Sequence, residues 1–436
     1  MILQLARASH PVWKQKFQNI KNITPEIKKL VANMQETLGL TGGVGLAAAQ
    51  VESPIRLFIV NFGNLNEVFI NPKLISRGKK TDSLEEGCLS VPRTWGNVTR
   101  ATKVKVEYLD LKNRRKRSIF SGYYARIIQH EYDHLSSIFF PNRIAKKGLI
   151  STYPPIRIVF FGTPEISLPT LYSLIGKQFV GEYEISYVVT SPDKPTGRGK
   201  NLSPTPVRRL AEKFSIPVLT PEKIKDNTKF LNQLKKASPD FLVLISYGKI
   251  LPKEILDIPK KAPLNIHFSL LPKYRGPAPI QAAILNGDKR TGVTIFKMNE
   301  SIDEGEIFVK ARVKIKPDDT TRSLSNDLSL LGADLVNYTV HTLTTNKLKP
   351  KKQIHKNATY SKLISKEDGF INLKRPPAAV KLDRMIRAYY PWPGVWTKYH
   401  DKILKLLPGR KVQLEGKQPV NLEDFKKGHK DFSLNW

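Results

Sequence analysis

At 436 residues the chain exceeds one typical core, so two or three domains are expected. Its 40 % hydrophobic and 25 % charged residues suit a folded soluble protein. No apolar run approaches the roughly 18–20 residues that span a bilayer and the first residues lack a signal-peptide pattern, so a cytoplasmic protein with no membrane partner is expected. The single cysteine, Cys88, excludes an intrachain disulfide. The formal net charge of +34 suits a polyanionic partner such as RNA, although lysine drift in an AT-rich genome produces the same excess.

In chain order, residues 25–38 are helix-like, residues 57–61, 68–71 and 104–108 are strand-like, and residues 123–136 are helix-like again. This mixture predicts an α+β domain over 1–150. A polar stretch ending at Pro154 and Pro155 marks a seam near 144–155. Residues 156–161 then read as a buried strand running into Gly162, the usual opening of an α/β unit. Strands at 185–190, 241–245 and 263–267 alternate with helices at 207–213 and 279–285. That alternation predicts an open, doubly wound parallel sheet over 155–345. A basic, unpatterned stretch near 345–357 separates a third region, 346–436. No internal repeat is evident.

The first chemistry lies in Gln129-His130-Glu131-Tyr132-Asp133-His134. On a helix, His130 and His134 share a face and can hold one metal, with Glu131 placed to move a proton of bound water. The bland alternative is an exposed polar face, but Ala125, Ile127, Ile128 and Leu135 flank the motif at helical spacing and point to an interior cleft. A zinc protease would take its third ligand downstream. The better candidate is upstream, in Glu86-Gly87-Cys88-Leu89-Ser90, and Cys-His-His leaves a coordination position open for water.

Three segments in this order, Gly43-Val-Gly-Leu-Ala-Ala-Ala-Gln50, Glu86 to Ser90 and Gln129 to His134, resemble the peptide deformylases over about residues 2–145. The resemblance implies Cys88, His130 and His134 as metal ligands and Glu131 as general acid/base. It implies Gln50 and the backbone N–H of Leu89 as oxyanion donors, Gly45 as a cleft-lining backbone contact, and Arg100 near the bound peptide. The family metal is Fe²⁺, with Zn²⁺ or Ni²⁺ as substitutes. This chain departs from the family pattern at Ala49 (usually proline), at Ser137 (commonly glycine) and in the rim loop Arg93-Thr94-Trp95.

The second chemistry lies at the end of the 263–267 strand, where sites of open α/β sheets gather. Asn265 and His267 share a strand face, and an Asn beside a His can polarise a carbonyl while the His moves a proton. Asp303, in a turn further on, could orient His267. These residues resemble the catalytic triad of 10-formyltetrahydrofolate-dependent formyltransferases, and Ser269-Leu270-Leu271-Pro272 with Lys273-Tyr274-Arg275-Gly276 resembles their signature. Phe160 to Glu165, Pro192 to Lys200 and Ser246 to Pro252 resemble the methionyl-tRNA formyltransferases in particular, over about residues 156–400. The resemblance implies a Rossmann-like fold, folate bound near Tyr247–Leu251 and Ile295–Asp303, and Arg198 and Lys200 reaching the tRNA acceptor end.

That family ends in a β-barrel of about a hundred residues, whereas here about forty follow the helix near Asp383–Pro393. A shortened, barrel-like, tRNA-binding C-terminal region is expected over 346–436, with residues 403–407 as its last strand and 421–425 as a tail. The combined expectation is a bifunctional translation-initiation enzyme. One half would formylate initiator methionyl-tRNA from 10-formyltetrahydrofolate. The other would deformylate N-formylmethionyl nascent peptides, at the ribosome. The alternatives are a chain with only the deformylase half live, a non-catalytic RNA-binding protein and an artefactual join of two genes.

Overall fold

The computed structural model describes residues 1–144, 151–152, 154–196, 201–345 and 348–436. Two compact units account for them: Met1–Ile156 with Tyr172–Glu184, and Arg157–Leu171 with Ile185–Trp436.

The first unit is the expected α+β arrangement. A five-stranded antiparallel sheet runs in the order Gly45–Ala47, Leu57–Phe62, Leu65–Arg77, Lys103–Leu109, Arg115–Ser121. A second antiparallel sheet joins Thr81–Cys88, Val91–Ala101 and Ser151–Thr152. The helix Pro25–Thr41 starts where the Thr24 hydroxyl accepts from the Ile27 N–H, with Pro25 in the first turn, and stops at Gly42 in the left-handed conformation. Its Val31, Met34 and Leu38 enter a core with Leu46, Leu57 and Ile70. The helix Tyr123–His134 places Ala125 and Ile128 against Phe58, Phe69 and Val106. Burial of this face fixes the rotation of the helix, and with it the direction of His130 and His134.

A seven-stranded sheet forms the second unit, in the order Val218–Leu219, Tyr183–Val189, Ile156–Gly162, Phe241–Ile245, Ala262–His267, Arg290–Lys297, Ile307–Lys314. Phe241–Ile245 is parallel to both neighbours, as expected. The last two strands are antiparallel, so the sheet is mixed rather than parallel throughout. The helices Pro206–Lys213 and Pro279–Leu285 lie where the sequence predicts them. A 24-residue helix, Thr321–Thr344, was not predicted. It is rich in Ser and Thr, and Thr339, Thr342 and Thr344 bond back to carbonyls one turn earlier, a weak local signal that packing overrides. Its Gly332 lies against Ile266 and Val293 of the sheet.

The C-terminal region carries the helix Ala379–Ala388 and an open antiparallel sheet, Val395–Tyr399, Lys402–Leu407, Lys411–Leu414 and Val420–Asn421. Residues 403–407 therefore belong to the second of four strands, not the last. Most of 421–425 opens the helix Leu422–Gly428 instead of trailing as a tail. Among the described residues no helix is long and apolar enough to cross a membrane.

Candidate active sites

Cys88, His130 and His134 converge: one ligand atom from each lies within 4.8 Å of the others. The strand Thr81–Cys88 shifts register against its neighbour between Gly87 and Cys88, a bulge that re-aims the thiol. Cys88 Sγ lies 3.3 Å from His134 Nε2. Gln50 Nε2 donates to the same sulfur at 3.6 Å and to Ser90 Oγ at 3.4 Å. Its carbonyl accepts from the Ala47 N–H at 2.8 Å, which fixes the amide's orientation. His130 Nδ1 faces Glu86 Oε2 at 2.9 Å, leaving Nε2 for the cluster. His134 has no carboxylate behind it: its buried Nδ1 makes no full hydrogen bond and has only the Ile138 backbone as weak polar support, and the rings of Trp13 and Phe139 hold it at 5.6 and 5.5 Å. A thiolate and two imidazoles, one with a carboxylate behind it, fit one divalent ion.

The electrostatics follow from burial and partners. Burial raises the pKa of Glu86, but hydrogen bonds from His130 and Arg100 outweigh it and bring it to about 2. Burial lowers that of His130, yet its bonds to Cys88 and Glu86 carry it up to about 10. Burial and the nearby His130 charge push His134 well below the usual histidine range. Burial pushes Glu131 up to about 7, and its Oε2 has no hydrogen-bond partner. A carboxyl poised near neutrality beside an open metal position is suited to take and return a proton.

Gly45, Gln50, Leu89, Trp95, Tyr123 and Glu131 line a cleft of about 370 Å³ at this cluster. A Cβ on Gly45 would sit 2.5 Å from Glu131 Oε1, so only glycine leaves the carboxylate its place. Arg100, expected at the bound peptide, lies behind the cleft instead. It is buried, pairing with Glu86 at 2.6 and 2.9 Å and with Asp133 at 2.9 Å. Arg126 adds a 2.7 Å bond to Glu86, and Arg143 one of 2.6 Å to Asp133. The sequence reading gave no role to Glu86, Asp133 or Arg126. Two of them stood inside the quoted motifs, and Arg126 is one helical turn before His130.

In the second unit, Asn265, His267 and Asp303 also come together. Asn265 Nδ2 donates to Asp303 Oδ1 at 3.4 Å, and His267 Nδ1 lies 3.5 Å from Asp303 Oδ2. His267 Nε2 lies 2.9 Å from the Tyr274 carbonyl, which can only accept, so this nitrogen carries the hydrogen. Asp303 is held by its backbone: it has φ 54°, and its Oδ2 accepts from the Gly276 N–H at 2.8 Å. Gly276 has φ 108°, and a Cβ there would lie 2.6 Å from the Ser361 carbonyl. Gln353 donates to the Asp303 and Gly305 carbonyls, and the fully buried Arg275 reaches Glu304 at 2.6 Å. Sequence reasoning assigned neither Gln353 nor Arg275 a role.

Residues 269–272 form the loop over this site. Ser269 and Leu271 are buried, Leu270 and Pro272 half-buried. Ser269 Oγ donates to the Lys273 carbonyl, Thr294 Oγ1 to the Ser269 carbonyl at 2.6 Å, and the Leu271 N–H to Thr294 Oγ1 at 3.2 Å. Tyr247, in the expected folate region, is buried with an unpartnered hydroxyl. Arg198 and Lys200 lie outside the described residues.

A profile of the polypeptide deformylase family matches residues 2–149. Profiles of the formyl transferase and of its C-terminal domain match 156–337 and 363–410. The methionyl-tRNA formyltransferase of Caldanaerobacter subterraneus subsp. tengcongensis is 43 % identical over 264 residues, 61 % of this chain and 84 % of that protein. That of Geobacter sulfurreducens is 42 % identical over 251 residues, 58 % of this chain and 77 % of that one. Among solved structures, the peptide deformylase of Thermotoga maritima is 32 % identical, covering 33 % of this chain and 99 % of that one with a TM-score of 0.33.

Proposed function

We propose that this chain, which belongs to the methionyl-tRNA formyltransferase family and carries a peptide deformylase domain ahead of it, performs both reactions of the formyl group. It would formylate initiator methionyl-tRNA with 10-formyltetrahydrofolate and hydrolyse formyl from the N-terminal methionine of new peptides. The observation that carries this reading is that both constellations come together in one chain: a Cys-His-His cluster with a buried Glu131, and Asn265 and His267 both facing Asp303.

For deformylation, Cys88, His130 and His134 would hold a divalent ion, Fe²⁺ in the first place and Zn²⁺ or Ni²⁺ otherwise, which lowers the pKa of the attacking water. Glu131 takes the proton that water loses and gives it to the departing amine. Gln50, held by its bond from the Ala47 N–H, and the Leu89 N–H donate to the oxyanion. Gly45 presents backbone along the cleft. For formyl transfer, the methionyl amine attacks the formyl carbon of the folate donor, and Asn265 donates to the developing oxyanion. The amine's proton passes to His267 at Nδ1, which faces Asp303, and on to the folate nitrogen as its bond to the formyl carbon breaks, so that tetrahydrofolate leaves neutral. Arg198 and Lys200 meet acceptor-end phosphates.

The test is formylation of initiator Met-tRNA by the intact chain, with elongator Met-tRNA as control, and deformylation of an N-formylmethionyl peptide by the same preparation. Both activities are expected. Glu131→Ala should remove deformylation by a factor of about 10²–10⁴ and leave formyl transfer intact, and His267→Ala should do the reverse. A preparation that deformylates but never formylates would reduce the second unit to a binding module.

A further inference from the structure

The strand Ile307–Lys314 is the last of its sheet, and its outer half carries a cation at every second residue: Lys310, Arg312 and Lys314, all exposed. Alternation along a strand puts these three on one face. The pairing register identifies that face. Lys310 lies opposite Thr294, which lies opposite His267 on the next strand. Directly opposed residues of antiparallel strands share a face, so the row begins two strands, about 10 Å, from His267 and advances about 7 Å per cation. Lys314 stands directly opposite the exposed Arg290. The other face of these strands is closed by Gly332 of the long helix, against Ile266 and Val293.

Guarding a sheet edge does not call for cations opposed across the ladder. Like charges directly opposed across a ladder are destabilising, and among the described residues none of the four cations has a carboxylate partner. Lys310 alone is tethered, its Nζ donating to the Leu271 carbonyl at 2.9 Å, on the loop that follows His267. Burial first, and then the neighbouring Arg312, lower the pKa of its ammonium. A step of about 7 Å is close to that between successive phosphates on one nucleic-acid strand.

We propose that Lys310, Arg312, Lys314 and Arg290 form a track for the phosphate backbone of the tRNA acceptor arm, leading to the triad across the loop at 269–272. This rests on the formyltransferase reading given above and adds to it the surface that positions the polynucleotide.

The experiment uses the full chain and its Arg312→Gln/Lys314→Gln variant. Retention of initiator Met-tRNA is measured over a salt series, alongside KM and kcat for formyl transfer. The variant should bind roughly tenfold more weakly at physiological salt, and its log–log salt slope should shrink by about 2, since each lost phosphate contact removes about 0.9. KM should rise with kcat held, and the charge-preserving Arg312→Lys/Lys314→Arg chain should restore binding. Unchanged affinity and slope would overturn the proposal. If such a variant also aggregated, the cations would be guards of an unpaired sheet edge. A fall in kcat alone would overturn it as well. A parent chain that binds tRNA but does not formylate would refute the formyltransferase reading while leaving the track testable by binding. A parent that does not bind tRNA at all would refute the track.

Discussion

The metal cluster and the Asn-His-Asp triad are held in place by different means. Behind the Cys-His-His cluster stands a buried lattice of full charges, Glu86, Arg100, Arg126 and Asp133, extended at the surface by the exposed Arg143, with bonds of 2.6–2.9 Å between them. It fixes His130 through Glu86. The triad has no such lattice. Its internal contacts are 3.4–3.5 Å, and its shorter bonds run to backbone atoms, from the Gly276 N–H and to the Tyr274 carbonyl. A metal site needs its ligands fixed before the ion arrives. A triad that works between two bound substrates can tighten as they bind, as catalytic hydrogen bonds often do.

This difference predicts that the two sites break differently. The largest effect belongs to Cys88→Ala: metal content of the purified chain should fall from about one ion to near none. Deformylation should drop a thousandfold or more, about the several kcal/mol that a metal supplies, with formyl transfer unchanged. Retained metal at full stoichiometry would refute the ligand set. Asp303→Asn comes next. The amide can still accept from the Gly276 N–H, so the loop should survive, but the charge facing His267 is gone, and formyl transfer should fall about a hundredfold with KM nearly constant.

Arg100→Ala sharpens the contrast. It removes no ligand and no cleft residue, yet it leaves Glu86 and Asp133 buried with fewer cations. A loss of about 3–5 kcal/mol in stability and a 10–100-fold loss in metal affinity are expected. If metal affinity were untouched, the lattice would be structural only. Acid gives a related readout. Glu86 is held at about 2 in the folded state, below its ordinary 4.5. The unfolded chain binds the extra proton first, so the stabilisation is complete above about pH 4.5 and is lost as pH falls towards about 2. Glu86→Gln should flatten the dependence of stability on pH in that window.

The sequence singled out the residues that converge in the two clusters because each chemistry fixes residue types at short spacings: two His one helical turn apart, and Asn and His one strand repeat apart. It also revealed the strands whose apolar runs are buried. It did not reveal the supports, because Arg100 and Asp133 come from elements 33 residues apart and meet only in three dimensions. The resemblance implies Arg100 near the bound peptide, and only the buried geometry supplies its partners, Glu86 and Asp133. The long helix Thr321–Thr344 was hidden by its Ser and Thr content. The antiparallel turn of the sheet was hidden because strand direction leaves no mark on composition.

The smallest effect tests the outer edge of the metal site, at Ser137, where φ is 53°. A left-handed conformation costs a non-glycine residue about 1–2 kcal/mol, and a glycine there would escape it. Against this, Ser137 Oγ donates to the Trp13 carbonyl at 2.7 Å, a bond that contributes about 0.5–1.5 kcal/mol. Glycine also loses about 0.5–1 kcal/mol more entropy on folding. The terms nearly cancel, so Ser137→Gly should change stability by less than about 1 kcal/mol. Ser137→Ala keeps the strain and loses the bond, so it should be the less stable of the two by denaturant midpoint. Trp13 lies against the His134 ring, so the same pair of variants reports on the metal site. If the serine bond positions Trp13, both variants should loosen metal binding equally although their stabilities differ. If only the alanine variant does so, the backbone conformation at 137, rather than the hydroxyl, sets the end of the ligand helix.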